Sequence, residues 1–292
     1  MSKVRPCNVD QLDPIVWEAV RQAIDHRSVG SILVKLPPIV HSENIGQAML
    51  ARLICTNRDW ETALMNAVAV GLWELEETPE DPRSALAQLS PEQAWRATVF
   101  AGVQCMVEGL LEGSPELAKE FLRHAWATAI GTTELVTLSD VSPRIAFAAG
   151  IFHNIGYPVL AHLYPDEHTL LRNRISGTSI PLHEIEQNLF DFNHQVTGAL
   201  FSQVAMLDDS IITCCSQHHF DGFISDPLVA AVRLSDHIAH QAGCSMGIGN
   251  IRTELPSHLL TDIGVDDYIL PRIVEQIATA SAACSKLVIS TN

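Results

Sequence analysis

Ile145–Tyr164 reads IAFAAGIFHNIGYPVLAHLY, and the choice of fold turns on this stretch. Its length is close to the ~20 apolar residues of a membrane span. His153 and Asn154 stand at its middle, however, and Pro158 follows. A span would place that polar pair in lipid without water to hydrogen-bond it. We therefore read two buried segments of a soluble domain, broken near Gly156-Tyr157-Pro158. Ala146, Ala149 and Gly150 share a helix face with His153, and residues this small let a second helix approach. Asn154 projects about 100° away from His153. Two polar side chains in so apolar a setting need each other, a metal or water as partners.

Outward from this stretch, helical spacing dominates. Pro14–Ile24 carries one apolar stripe (Ile15, Val16, Ala19, Val20, Ala23). Helices are expected over residues 42–54, 59–75, 91–112, 115–138 and 143–154, several opening with Pro, a favoured first-turn residue. Further helices are expected over 166–175, 181–189, 194–206, 210–218, 226–242 and 270–287. Val29–Val40 (VGSILVKLPPIV) is the most strand-like run, and Pro37-Pro38 stop it, so it is expected to be an extended lead-in segment. The acidic stretch 76–90, with Pro79 and Pro82, is expected to be a loop, and the Gly- and Ser-rich stretch 243–256 a mobile one. The fold class is all-α. Residues 1–30 form an N-terminal helical extension, 31–285 one large helical domain with halves at 31–112 and 113–285, and 286–292 a tail.

Composition narrows the function classes. Eighteen basic and 34 acidic side chains leave a net charge of −16, which disfavours nonspecific binding to nucleic acid or anionic membranes. Hydrophobic residues at 47% supply a sizeable core. The opening MSKVRPCNVDQLDP lacks the apolar run of a secretory signal. The seven cysteines contain no CxxC pair, so buried thiols in a reducing cytoplasm are expected rather than disulfides or a zinc ribbon.

Thirteen histidines carry the remaining chemistry. His26, His41, His162, His168, His183 and His258 lie near loops or on polar faces and read as solvated. His124 shares an apolar stripe with Leu117, Phe121 and Thr128, so it points inward, where each ring nitrogen needs a partner. His194 follows Asp191 by three residues, a spacing at which a carboxylate can orient an imidazole. Of the consecutive His218 and His219, a helix would send at most one to the core. Asp236 lies on an apolar helix with Arg233 and His240 as helical partners, and a local ion pair there would be worth only about half a kcal/mol.

The order His124, His153-Asn154, His194, His218-His219, Asp236 resembles the HD superfamily of metal-dependent phosphohydrolases, with its signature His, His-Asp, Asp. The closer resemblance is to the HDOD family, the HD-related output domain of bacterial signalling proteins. LPPIV (36–40) looks like its Leu-Pro motif, FLRHAWATA (121–129) like its aromatic-x-x-His helix, and GIFHNIGYPVL (150–160) like its Gly-x-x-His-Asp-Ile-Gly core. FDFNHQVTGALF (190–201) looks like its Asp-His-x-x-x-Gly segment, with Asn193 at the Asp position, and CSQHH (215–219) like its closing His pair. The likeness spans residues 31–242.

The resemblance implies metal ligands at His124, His153, His194, His218, His219 and Asp236. It also implies a damaged active site. Where catalytic relatives have the Asp of His-Asp, this chain has Asn154, and a neutral amide is a poor bridge between two divalent ions. Tyr157 stands where hydrolytic relatives often carry Lys. The cyclic-dinucleotide phosphodiesterase motif after the His pair is absent, since Phe220, Asp221 and Gly222 follow it. The expectation is a non-catalytic signalling domain that contacts unidentified signalling proteins, with no nucleic acid or membrane partner and a homo-oligomer allowed. The alternatives are a metal-dependent phosphohydrolase acting on nucleotides or cyclic dinucleotides, and a metal or small-ligand sensor without turnover. Either no cofactor or one divalent transition metal is expected. Arg123, Arg144, Arg172 and Arg174 are the basic residues that could line a phosphate-binding pocket, although ordinary exposure is the better reading for them.

Overall fold

The computed structural model describes residues 14–42, 44–175, 180–220, 222–246, 259–260, 263–265 and 269–289. These form one all-helical domain, and no strand occurs among them. In chain order the helices are α1 (Pro14–Asp25), α2 (Arg27–Leu33), α3 (Leu36–Val40), α4 (Gln47–Ile54), α5 (Arg58–Ala69), α6 (Pro82–Ala87), α7 (Pro91–Leu110) and α8 (Pro115–Leu135). They continue with α9 (Pro143–Phe152), α10 (Gly156–Leu163), α11 (Pro165–Ile175), α12 (Leu182–Phe190), α13 (His194–Val204), α14 (Asp209–Gln217), α15 (Pro227–Gln241) and α16 (Ile269–Cys284).

The first half is built around α7. Ser90 and Gln93 form a capping box at its start, with Pro91 in the first turn, where its missing N–H breaks no hydrogen bond. Helices α2, α3, α4 and α5 pack against it. Two buried tryptophans tie the layer together. The indole N–H of Trp60 donates to Thr98 O at 3.0 Å, and that of Trp95 donates to Ile39 O at 2.9 Å. The second half centres on α8, which packs against α9, α15 and α16, while α13 packs against α10 and α14. Helix α1 lies on α10 and α13.

Three expectations are corrected. Residues 29–40 are helical (α2 and α3) rather than extended, because Pro37 and Pro38 fall in the first turn of α3, where proline is tolerated. The stretch 76–90 contains α6, started by Pro82 behind an Asp81–Ser84 capping box. The interruption in the apolar stretch lies at residues 153–155. Gly156 already begins α10, with Pro158 again in a first turn. The division into two buried segments holds, and no helix among the described residues is long and apolar enough to cross a membrane. Of the Gly- and Ser-rich stretch, residues 247–256 lie outside the described residues, as do Asp221 and His258.

Close backbone approach sets the positions of α9 and α10. A Cβ on Gly150 would meet the Ala129 backbone of α8 at 2.5 Å. A Cβ on Gly156 would overlap the His194 carbonyl oxygen and the Gly198 nitrogen of α13. Backbone cannot rotate away as a flexible side chain can. We expect Gly156→Ala to lower stability by about 3 kcal/mol or more, at the upper end of overpacking costs. Urea unfolding of the variant beside Gly113→Ala, which has open space around it but a φ of +85°, measures this; the second change should cost about 1 kcal/mol.

Candidate metal centre

The helix interruption at residues 153–155 places His153 and Asn154 against α8, α14 and α15. His124 comes from the middle of α8, His218 from the end of α14, and Asp236 from α15. His124, His153, Asn154, His194, His218 and Asp236 are all buried, and His219 is half-buried. The side chains predicted from sequence therefore converge. The ligand atoms of His124, His153 and Asp236 all lie within 4.8 Å of one another, and so do those of His194, His218 and His219. Asn154 sits between the two groups, its Nδ2 3.2 Å from His124 Nε2 and its Oδ1 2.9 Å from His218 Nε2.

Backbone carbonyls fix the tautomers. A carbonyl only accepts, so each Nδ1 that faces one carries the proton. His124 Nδ1–H donates to Cys244 O at 2.8 Å and His153 Nδ1–H to Gly150 O at 2.7 Å. His218 Nδ1–H is shared by Cys214 O and Cys215 O, both at 3.0 Å. Burial pushes the His124 pKa down to about 4, against the opposing pull of Asp236. Burial and then the neighbouring His153 and His194 hold His218 well below its ordinary range. The His124 and His218 rings are neutral near pH 7, and their Nε2 lone pairs, like that of the His153 tautomer, face inward.

The lone pairs meet a shortage of protons. His124 Nε2 lies 3.0 Å from Asp236 Oδ1 and 3.3 Å from His153 Nε2. His153 Nε2 lies 3.6 Å from the same carboxylate oxygen. His218 Nε2 faces Asn154 Oδ1, an acceptor against an acceptor, and rotating the amide by 180° moves the mismatch to His124. His194 Nε2 is buried without a hydrogen-bond partner. Burial would raise the Asp236 pKa, but the His240 charge and the imidazoles close around it hold it well below the carboxylate range. A cation resolves these oppositions. Two imidazoles with one carboxylate, or three imidazoles, suit a divalent transition metal. The residues present fit such an ion.

Two further neighbours join the donors, of which only the first was not legible in sequence. Glu186 of α12, not Asp191, orients His194. Its Oε2 accepts the Nδ1–H of His194 at 2.5 Å and the backbone N–H at 2.9 Å. Asp191 instead ends α12 in a left-handed conformation (φ 63°). An acid eight residues before a histidine is not a helical spacing, so only the turn between α12 and α13 brings the pair together. His240 is the second. Its Nε2 lies 3.4 Å from Asp236 Oδ1, as the i+4 spacing allows, and its ring packs on His124 with centroids 4.8 Å apart.

Other histidines depart from expectation. His218 and His219 both reach the cluster because α14 ends at Gln217, which removes the helical constraint; their ring centroids are 4.1 Å apart. His168 is not solvated. It is 4% exposed under the Tyr157 ring, and burial pushes its pKa down to about 4. His162 donates from Nδ1 to Leu110 O, and His183 stacks on His219. The arginine side chains that are described do not line the histidine cluster. Arg144 binds Glu92 and Ser42 O, Arg172 binds Glu120, and Arg123 binds Gly243 O; the side chain of Arg174 lies outside the description.

Two outcomes follow. Glu186→Ala strips both partners from His194, and a broken buried pair costs about 3 kcal/mol; chemical denaturation should show it, with Glu186→Gln losing less. With metal chelated, acid should weaken the fold. The unfolded chain binds a proton at His124 near pH 6.5 and the folded chain only near 4, so stability is full above about 6.5 and falls by about 3 kcal/mol as pH drops towards 4. Urea midpoints at pH 7 and pH 5 measure this slope, and His124→Gln should flatten it.

The fold recurs in solved structures. An HDOD domain protein of unknown function from Geobacter sulfurreducens superposes with a TM-score of 0.69 at 15% identity, over 95% of this chain and 99% of that one. A protein described as a candidate phosphohydrolase from Shewanella amazonensis SB2B gives 0.66 at 17% identity, over 92% and 98%. One described as a candidate signal transduction protein from Marinobacter aquaeolei VT8 gives 0.66 at 13% identity, over 96% and 67%. No curated protein matches the chain. The HDOD domain family matches residues 28–220, two thirds of the sequence, and the chain belongs to that family.

Proposed function

We propose that this protein is an HDOD regulatory domain that binds one divalent transition metal at His124, His153 and Asp236 and does not hydrolyse phosphoesters. It acts through contacts between its helical surfaces and signalling proteins. The observation that carries this reading is the position of Asn154. Its amide lies between the two donor groups, where a shared carboxylate would have to bridge two ions. An amide supplies no charge for that bridge, so the residues favour one ion over a pair. The bound metal supplies charge to a buried carboxylate and occupies the inward lone pairs. His218 and His194 flank Asn154 on its other side, and Glu186 holds the His194 ring. The candidate signal transduction protein among the structural neighbours is consistent with a signalling role. A phosphohydrolase is the second reading, favoured by the convergence of all six expected ligands.

Elemental analysis of protein purified without chelator should find about one transition metal per chain, lost in His153→Ala. No turnover of bis(p-nitrophenyl) phosphate or cyclic dinucleotides should appear with Mn(II), Fe(II) or Zn(II). Asn154→Asp should raise the metal content towards two. Hydrolysis by the unmodified protein that disappears in His153→Ala would overturn this reading in favour of the hydrolase.

A further inference from the structure

We propose that His240 is a fourth protein ligand to the ion held by His124, His153 and Asp236, giving a closed site of three imidazoles and one carboxylate for a tetrahedral metal such as Zn(II). This rests on the metal-binding reading above and adds the coordination state of the same site.

The geometry around Asp236 carries it. Three imidazole Nε2 atoms surround one carboxylate oxygen, His124 at 3.0 Å, His240 at 3.4 Å and His153 at 3.6 Å. The Nε2 atoms of His124 and His153 are 3.3 Å apart. Four ligands bound about 2.0–2.1 Å from one ion at the corners of a tetrahedron lie about 3.3–3.4 Å from each other. Four of the six edges are thus near that spacing. His240 stands one turn beyond Asp236 on α15, so a single helix presents both to the ion. It lies outside the compact three-donor group and is 25% exposed at the side chain, whereas His124 and His153 are fully buried. Its inward rotation would close the last position, and its outward rotation would open the way for metal to enter or leave.

Catalytic zinc sites keep three protein ligands and leave one position to water, whereas structural sites use four. A fourth imidazole removes the position a nucleophilic water needs. Hydrolysis is then blocked by the closed coordination as well as by the missing bridge at Asn154.

Co(II) loaded into chelator-stripped protein tests this, because its visible absorption reports ligand number and exchange. The native protein should bind one Co(II) with strong tetrahedral bands that azide leaves unchanged. His240→Ala should still bind one Co(II), but with bands that shift on adding azide, and a chelator should remove the ion roughly 10- to 100-fold faster, the scale of a lost supporting interaction at a metal site. His240→Gln, which keeps the side-chain bulk, should behave like His240→Ala if that variant folds poorly. If both His240 variants match the native spectrum and release rate, His240 is not a ligand and the three-donor reading stands alone. If native protein and variants all take up no Co(II), the metal reading fails and this one with it.

Discussion

Too few protons are available to the side chains around Asp236. Nδ1–H groups are committed outward to the carbonyls of Cys244, Gly150, Cys214 and Cys215. What remains inward is imidazole lone pairs, the Asn154 amide and one carboxylate, on residues that are mostly buried. Such an arrangement is costly when uncompensated, since each buried unpaired polar group carries a desolvation penalty. His240 supplies partial compensation. Burial, the largest single influence, pulls its pKa down, but the charge and hydrogen bond of Asp236 together leave it raised. A metal ion would compensate all of the inward donors at once.

The rest of the fold is arranged to hold those donors in place. Helix α8 bears His124 and also packs closely against its neighbours. Gly131 takes the side chain of Ile277 from α16, and Gly150 of α9 lies on the Ala129 backbone. Gly156 brings α10 onto the first turn of α13, which puts His194 beside His218, with ring centroids 5.4 Å apart. Small residues thus do two things at once. They permit the helix approach, and they leave the bulky imidazoles as the groups that fill the space between helices.

Asn154 separates chemistry from architecture. It has the shape of an aspartate, and its amide touches both His124 and His218. It carries no charge. The helices around it are stabilised by burial rather than by chemistry at the site, so the packing that brings the donors together does not depend on an anion at this position.

Much of this was legible in the chain itself. Helical periodicity, Pro at the first turns of α7, α8 and α9, and a polar pair inside an apolar run pointed to an all-α fold and to two buried segments around His153-Asn154. Sequence misread residues 29–40 and 82–87, because Pro marks a helix start as readily as a break and only its place in the turn tells which. It missed Glu186, and it read His168 as solvated. What only the tertiary structure decided is which atoms meet: the division of the six donors into two groups about Asn154, the outward protons on Nδ1, and the packing of the His240 ring on His124. Local sequence fixes which face of a helix a residue occupies, but distances between side chains on different helices depend on packing that no single helix encodes.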